Sequence, residues 1–187
     1  MIKTDLKDNA WKTLSSEYLF RRPWLTARRD TVQLPDGRVN PEFYVLEYPS
    51  WVNVIARDTE GNFVMVRQYR HGLGETRYEL SAGVVEEGEE PIEAAKRELC
   101  EETGYVGGDW RLLTVVSGNA STTDNLSYCF VAEGVTPDGS RHLDPTEDLA
   151  VEILTLDEVR QLLLDDQIRQ SLMAAPLWKY FALNKLL

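Results

Sequence analysis

The stretch from Gly83 to Tyr105 constrains this chain more than any other. It opens as Gly83-Val84-Val85-Glu86-Glu87-Gly88-Glu89, an apolar strand end running into a glycine-bounded acidic loop. Pro91 then suits the first turn of a helix, Gly104 suits its end, and no Gly, Pro or β-branched run lies between them. The spacing predicts a helix over about 91–103. On it Glu98, Glu101 and Glu102 stand at i, i+3 and i+4, so their carboxylates share one stripe. Like charges so placed cost about 0.2–0.5 kcal/mol per pair, a repulsion that a divalent cation with hard oxygen ligands turns into attraction. Ile92, Ala95 and Leu99 fall on an adjacent stripe and can pack on a sheet. A solvated acidic face, with Arg97 pairing Glu93 or Glu101, is the alternative reading of such a cluster. The loop ahead of it favours a site, because backbone N–H groups at a helix N-terminus can approach anions or metal-bound phosphate.

The rest of the chain supplies a frame for that segment. Runs rich in Val, Ile and aromatics at Phe43–Leu46, Trp51–Ala56 and Phe63–Val66 read as strands, and Pro35-Asp36-Gly37 and Glu60-Gly61-Asn62 read as hairpin turns. Strand-like segments return near Arg111–Val116, Leu126–Ala132 and Val151–Thr155. Thr155 with Glu158 then resembles a capping box opening a second helix, and a third helix is expected over about 172–185. A length of 187 residues fits one main domain with an N-terminal extension, built as a mixed sheet flanked by helices.

Composition narrows the function. A net charge of −11 disfavours nucleic acid as a partner, while a small anionic substrate remains accessible if cations stand between carboxylates and phosphates. Cys100 and Cys129 lack zinc-type spacing, and Cys100 beside Leu99 reads as a packing residue. His71 and His142 are the only histidines and lie outside the acidic segment, so a histidine nucleophile or His-type zinc site has little support. Met1 to Asp5 lacks the apolar core of a signal peptide, and no run approaches the roughly 18 apolar residues of a membrane span. A cytoplasmic protein with no membrane partner is expected.

At Gly83, Glu89, Arg97, Glu98, Leu99, Glu101, Glu102, Gly104 and Tyr105 the sequence resembles the Nudix signature at every specified position, with Tyr105 counted as apolar. The resemblance implies an α/β fold, the Nudix α/β/α sandwich with a mixed central sheet, here with a strand-rich N-terminal extension. It implies a Mg²⁺ or Mn²⁺ site with Glu98, Glu101, Glu102 and the Ala82 carbonyl as ligands. Arg97, Glu101 and Glu102 are its implied catalytic residues, with Glu89 tying the loop to the helix and steering Arg97. Cations held there would neutralise diphosphate oxygens, orient a water and lower its pKa.

Val66-Arg67-Gln68-Tyr69-Arg70 and Tyr78-Glu79-Leu80-Ser81-Ala82-Gly83 further resemble the ADP-ribose pyrophosphatase branch of that family. By that likeness residues 1–50 are an extension that builds a homodimer and part of the substrate pocket, and residues 51–187 are the hydrolase domain. The substrate would be a small nucleoside diphosphate compound, ADP-ribose or a related nucleotide sugar. Arg70 would meet its phosphates, Glu79 would lie near the pocket, and Trp24 and Arg29 would hold the base. The structural alternatives are Trp24 in a core or dimer interface, Arg29 and Arg70 in surface ion pairs, and Glu79 capping a strand edge. Two departures from the branch are Ser81, where proline is usual, and Ala120-Ser121-Thr122, where a proline commonly stands beyond the box. They keep GDP-mannose or another nucleotide sugar open. In Asp144-Pro145-Thr146-Glu147-Asp148, Glu147 is the first choice for the water-activating base or a further ligand, with Asp148 and Asp144 behind it; a solvated acidic turn is the alternative. The competing functions are nucleoside triphosphate clean-up and non-catalytic nucleotide sensing.

Overall fold

The strand-forming runs rich in Val, Ile and aromatics divide between two separate sheets. The computed structural model describes residues 9–22, 25–139, 141–143, 145 and 147–187. The chain forms two compact units, residues 1–48 with 119–125, and residues 49–118 with 126–187.

In the first unit, β1 (Lys12–Arg22), β2 (Leu25–Gln33) and β3 (Val39–Glu47) form an antiparallel sheet in the order β1-β2-β3. The turn at Pro35-Asp36-Gly37 closes as the sequence predicts, with Gly37 N–H donating to the Leu34 carbonyl at 2.9 Å. β2 buries Ala27, Asp30 and Val32. Arg28 offsets the burial of Asp30, its Nε lying 3.0 Å from the carboxylate. Every position of β1 is exposed, including Leu14, Tyr18, Leu19 and Phe20. Segment 119–125 seals the far end of β3: Leu46 N–H donates to the Thr122 carbonyl at 2.7 Å and Tyr48 N–H to Asp124 at 3.3 Å.

The second unit carries an eight-stranded mixed sheet of β4 (Trp51–Asp58), β5 (Phe63–Arg70), β6 (Glu75–Glu79), β7 (Ser81–Val84), β8 (Tyr105–Val106), β9 (Asp109–Val116), β10 (Ser127–Pro137) and β11 (Leu149–Leu154). Its spine runs β11-β5-β4-β10-β8, and β4 with β10 is the parallel pair, Val54 beside Phe130. β4 and β5 pair only around Ala56, Arg57, Phe63 and Val64. Beyond that point the sheet splits: β7 takes over as the partner of β4, and β6 as the partner of β5.

Strand alternation sorts two cores onto the two faces. Val52, Val54, Ala56, Val64 and Phe130 pack with Ala94, Ala95 and Leu99 of α1 (Pro91–Thr103). Ile55, Phe63, Met65 and Val131 pack with Val159 and Leu163 of α2 (Leu156–Leu164) and Leu177, Tyr180 and Phe181 of α3 (Ser171–Leu183). This is the expected α/β/α layering with a mixed central sheet. The bounds of α1 coincide with the prediction, because Pro91 opens it and Gly104 ends it in the left-handed conformation at φ 73°. The Thr155–Glu158 capping box opens α2, with Thr155 N–H donating to Glu158 at 2.8 Å and Glu158 N–H to Thr155 at 3.3 Å. Among the described residues no helix is long and apolar enough to cross a membrane.

Candidate active site

The split in the sheet brings β7, the following loop and one face of α1 together. Gly83 lies directly under Glu98: a Cβ at position 83 would stand 2.0 Å from the Glu98 carboxylate. The glycine is therefore required for close approach, and it makes a cradle for one acid of the helix stripe. One turn on, Glu102 is 4% exposed and accepts a hydrogen bond from the Ala82 N–H at 3.0 Å. Burial pushes the Glu102 carboxyl up to about 8, with the neighbouring charges of Glu98 and Glu147 adding to the shift. Burial likewise raises Glu98, and Arg97 opposes that rise.

Arg97 organises this acid group. Its Nε and Nη2 hold both oxygens of Glu89 at 3.0 Å, and Nη1 reaches Glu98 at 2.8 Å and Glu101 at 3.0 Å. Nη2 also donates to the Val84 carbonyl at 2.9 Å, fixing the helix to the end of β7. The guanidinium bond lowers Glu89, whose carboxylate in turn receives the Glu86 N–H and closes the acidic loop. The fork geometry of arginine suits this five-bond arrangement, which a lysine could not reproduce.

Across the split, Arg70 at the end of β5 pairs with Glu79 at the end of β6. Its Nε lies 3.0 and 3.1 Å from the two Glu79 oxygens and Nη2 2.6 Å from one. Glu79 is 2% exposed, so it is no surface cap, while Arg70 keeps one side towards solvent. Glu102 and Glu147 also act on Arg70 electrostatically. Glu147 thus influences Glu98, Glu102 and Arg70 together.

Arg141 and His142 are held on the last carbonyls of α1. His142 N–H donates to the Glu101 carbonyl at 2.9 Å, and Arg141 donates to the carbonyls of Glu102 at 2.7 Å and Leu149 at 2.5 Å. The helix has no basic residue of its own in its last turn, so Arg141 also supplies the cation that its C-terminal dipole favours.

Among the described residues no three His, Cys, Asp or Glu side chains stand closed around one point. The Arg97 guanidinium is the cation that Glu98 and Glu101 share here. The donor set nevertheless fits a hard divalent ion, since carboxylates and a backbone carbonyl are the oxygen ligands such ions take. A buried carboxyl displaced to about 8 beside two further acids also marks a place where added positive charge is favourable.

Comparison with known proteins decides the family. Residues 47–175, more than half of the chain, match the NUDIX domain. The chain belongs to the Nudix family. It is a hydrolase acting on pyrophosphate bonds, as the signature implied. Residues 11–46 match the nucleoside diphosphate sugar hydrolase N-terminal domain. Relatives include a methanol dehydrogenase activator of Bacillus methanolicus, 34% identical over 86% of each chain. Another is an ADP-ribose pyrophosphatase of Bacillus subtilis (strain 168), 33% identical over 81% of this chain and 82% of that one. A solved structure of an ADP compounds hydrolase shares the fold with a TM-score of 0.78 at 21% identity, covering 95% of this chain and 97% of that one.

The sequence-selected residues of this Nudix chain distribute unevenly. Ala82, Glu98, Glu101, Glu102, Arg97, Glu147, Arg70 and Glu79 belong to the second unit and to one electrostatic neighbourhood. Arg29 lies on β2 in the first unit, in an exposed ion pair with Glu17 at 2.5 Å. Trp24 and Asp144 lie outside the described residues, and Asp148 is exposed. Cys129 is fully buried and its thiol is pushed up to about 12 by burial, which removes it as a nucleophile near neutral pH. Sequence reasoning missed Arg141, which no motif marks, and a cavity beside the acids lined by Trp51, Asn53, Ser127, Gln170, Leu172 and Met173.

Proposed function

We propose that this Nudix hydrolase cleaves the diphosphate bond of ADP-ribose or a related nucleoside diphosphate sugar, giving nucleoside monophosphate and sugar phosphate. The observation that carries the reading is the buried Glu102, next to the cradled Glu98 and within electrostatic reach of an arginine, Arg70. The names of the relatives, ADP-ribose pyrophosphatase among them, and the N-terminal domain match support the substrate class.

Glu98, Glu101, Glu102 and the Ala82 carbonyl would hold Mg²⁺ or Mn²⁺. Such an ion, when bound, supplies charge neutralisation at the diphosphate oxygens and makes a water acidic enough to lose its proton near neutral pH. Arg70 presents its open edge to a phosphate oxygen while Glu79 fixes the guanidinium plane. Arg97 keeps Glu98 and Glu101 in register with Glu89 of the loop, and Glu147 accepts the proton of the attacking water. The water oxygen bonds to phosphorus, the bridging P–O bond breaks, and the leaving phosphate carries away the electron pair.

A homodimer through the N-terminal unit, and residence in the cytoplasm, belong to the same reading. The exposed apolar side chains of β1 support the first, and the low cysteine content, Cys100 and Cys129 in different segments, supports the second. Light scattering on the full chain and on a variant with Leu19 and Phe20 replaced by Ser tests the dimer. Release of nucleoside monophosphate from ADP-ribose, GDP-mannose, other nucleotide sugars and nucleoside triphosphates, with Mg²⁺ and with chelator, tests the chemistry. Metal-dependent preference for ADP-ribose is the expected result. Preference for triphosphates overturns the substrate class, and binding without turnover overturns the catalytic reading.

A further inference from the structure

Carbonyls in the last turn of a helix have no N–H of their own helix to accept from, and at the end of α1 a later segment supplies the donors. His142 N–H donates to the Glu101 carbonyl at 2.9 Å and Asp138 N–H to the Gly104 carbonyl at 2.9 Å. Arg141 Nε donates to the Glu102 carbonyl at 2.7 Å. Two of these three acceptors belong to residues of the acid stripe, Glu101 and Glu102.

The Arg141 guanidinium makes a second link, Nη2 donating to the Leu149 carbonyl at 2.5 Å. Leu149 opens β11 and is paired with Gln68 of β5, two residues before Arg70. One side chain thus joins the end of α1 to the start of β11. Glu147 lies between Arg141 and Leu149 in the chain. Standing two residues before Leu149, its Cα is within about 7 Å of the Leu149 Cα, the reach of two extended residues. Its charge acts on Glu98, Glu102 and Arg70. Dipole stabilisation at a helix C-terminus needs only a nearby positive charge, whereas two donors of one rigid fork on carbonyls of different elements fix a distance.

We propose that Arg141 is a positioning residue for hydrolysis: by clasping the carbonyls of Glu102 and Leu149 in one guanidinium, it fixes the place of Glu147 relative to Glu98, Glu101 and Glu102. The inference rests on Glu147 as proton acceptor in the functional reading above. Glu147 remains the group that takes the proton, and Arg141 acts only through it. A base must stand within hydrogen-bond reach of the water it deprotonates, and a displacement of about 1 Å can cost about 100-fold. Without the clasp the His142 N–H still holds the outgoing chain and the β11–β5 ladder still holds the returning chain, so the fold survives while the span between them loses its tie.

Steady-state kinetics on a cleaved nucleoside diphosphate sugar, and calorimetric titration with Mg²⁺ alone, test this on Arg141→Ala, Glu147→Gln and the double variant. Glu147→Gln is expected to lose about 100-fold or more in kcat. Arg141→Ala is expected to lose about tenfold or more in kcat, with KM and Mg²⁺ affinity within about twofold of wild type. The double variant should match Glu147→Gln within about twofold, because without the base Arg141 has nothing to position. A cap that serves only the helix would instead multiply the two losses, and that result overturns the proposal. So does a folded Arg141→Ala protein with wild-type kcat, or a fall in Mg²⁺ affinity that accounts for the loss. Should Arg141→Ala fail to fold, Arg141→Lys carries the same cycle with the same expected non-additivity, since it keeps the cation at the helix end and replaces two spaced donors by one ammonium. Glu147→Gln within about threefold of wild-type kcat overturns the choice of base, and this inference with it. Loss in Glu147→Gln with none in Arg141→Ala overturns this inference alone.

Discussion

Replacing Gly83 by Ala tests the site at its tightest point. The new Cβ would lie 2.0 Å from both Cδ and Oε1 of Glu98 and 2.3 Å from Oε2. Non-bonded carbon atoms prefer about 3.5 Å, so the carboxylate must retreat by roughly 1.5 Å. The backbone need not change, because φ at Gly83 lies outside the left-handed region and β7 can keep its register with β4. The clash falls on the far end of a flexible side chain, so the stability cost is of the order of 1–2 kcal/mol, a Tm drop of about 2–8 °C for a chain of this size. Activity should suffer far more. Metal ligands tolerate displacements of only about 0.2 Å, and a misplacement of about 1 Å can cost about 100-fold. Metal-dependent release of nucleoside monophosphate is therefore expected to fall about 100-fold or more while the melting transition stays cooperative. The double variant Gly83→Ala/Glu98→Ala should regain the lost stability and be no less active than Glu98→Ala alone, since the two changes act through one contact. A folded Gly83→Ala protein within about threefold of wild-type kcat/KM would refute the assignment of Glu98 to the metal.

Three further outcomes follow from the same geometry. Glu102→Gln should lower kcat by orders of magnitude with no loss of Tm, since a neutral amide can still accept the Ala82 N–H and avoids a buried charge; activity and melting assays on one preparation check both. Arg97→Lys should reduce kcat by about 10- to 100-fold, because one ammonium cannot hold Glu89, Glu98, Glu101 and the Val84 carbonyl at once; steady-state kinetics against metal concentration should show a raised metal requirement. Arg70→Ala should cost about 1–3 kcal/mol in urea unfolding by leaving Glu79 buried and alone, and Arg70→Ala/Glu79→Gln should recover most of it.

The segment from Gly83 to Tyr105 is legible because its information is local. Pro91 and Gly104 mark the ends of α1, helical spacing aligns Glu98, Glu101 and Glu102, and Thr155 with Glu158 announces α2, all within a few residues of one another. What escaped depends on contacts between distant segments. Nothing near Glu102 reveals that it is buried while Glu101, one residue away, stays open to water; that difference comes from β7 packing over one side of α1. The parallel pairing of β4 with β10 is equally silent in either strand, and so is the cavity, whose Asn53, Ser127 and Gln170 come from three separate elements. No individual strand is read at Lys12–Arg22 from the sequence, and the exposure of Leu14, Tyr18, Leu19 and Phe20 appears only in the structure. Arg29 illustrates the opposite limit: its ion pair with Glu17 arises from strand pairing alone, and a guanidinium in sequence carries no label for its partner.

The N-terminal unit is discontinuous: residues 119–125, translated after α1, supply the carbonyl of Thr122 and the carboxylate of Asp124 that finish the end of β3. A ribosome must therefore release most of the hydrolase segment before the first sheet can close its last bonds. Anyone transplanting that sheet onto another enzyme by cutting at residue 48 would carry across three strands with a raw end. The exchangeable part is a pair of fragments, and recombination between relatives should preserve 119–125 together with the first 48 residues.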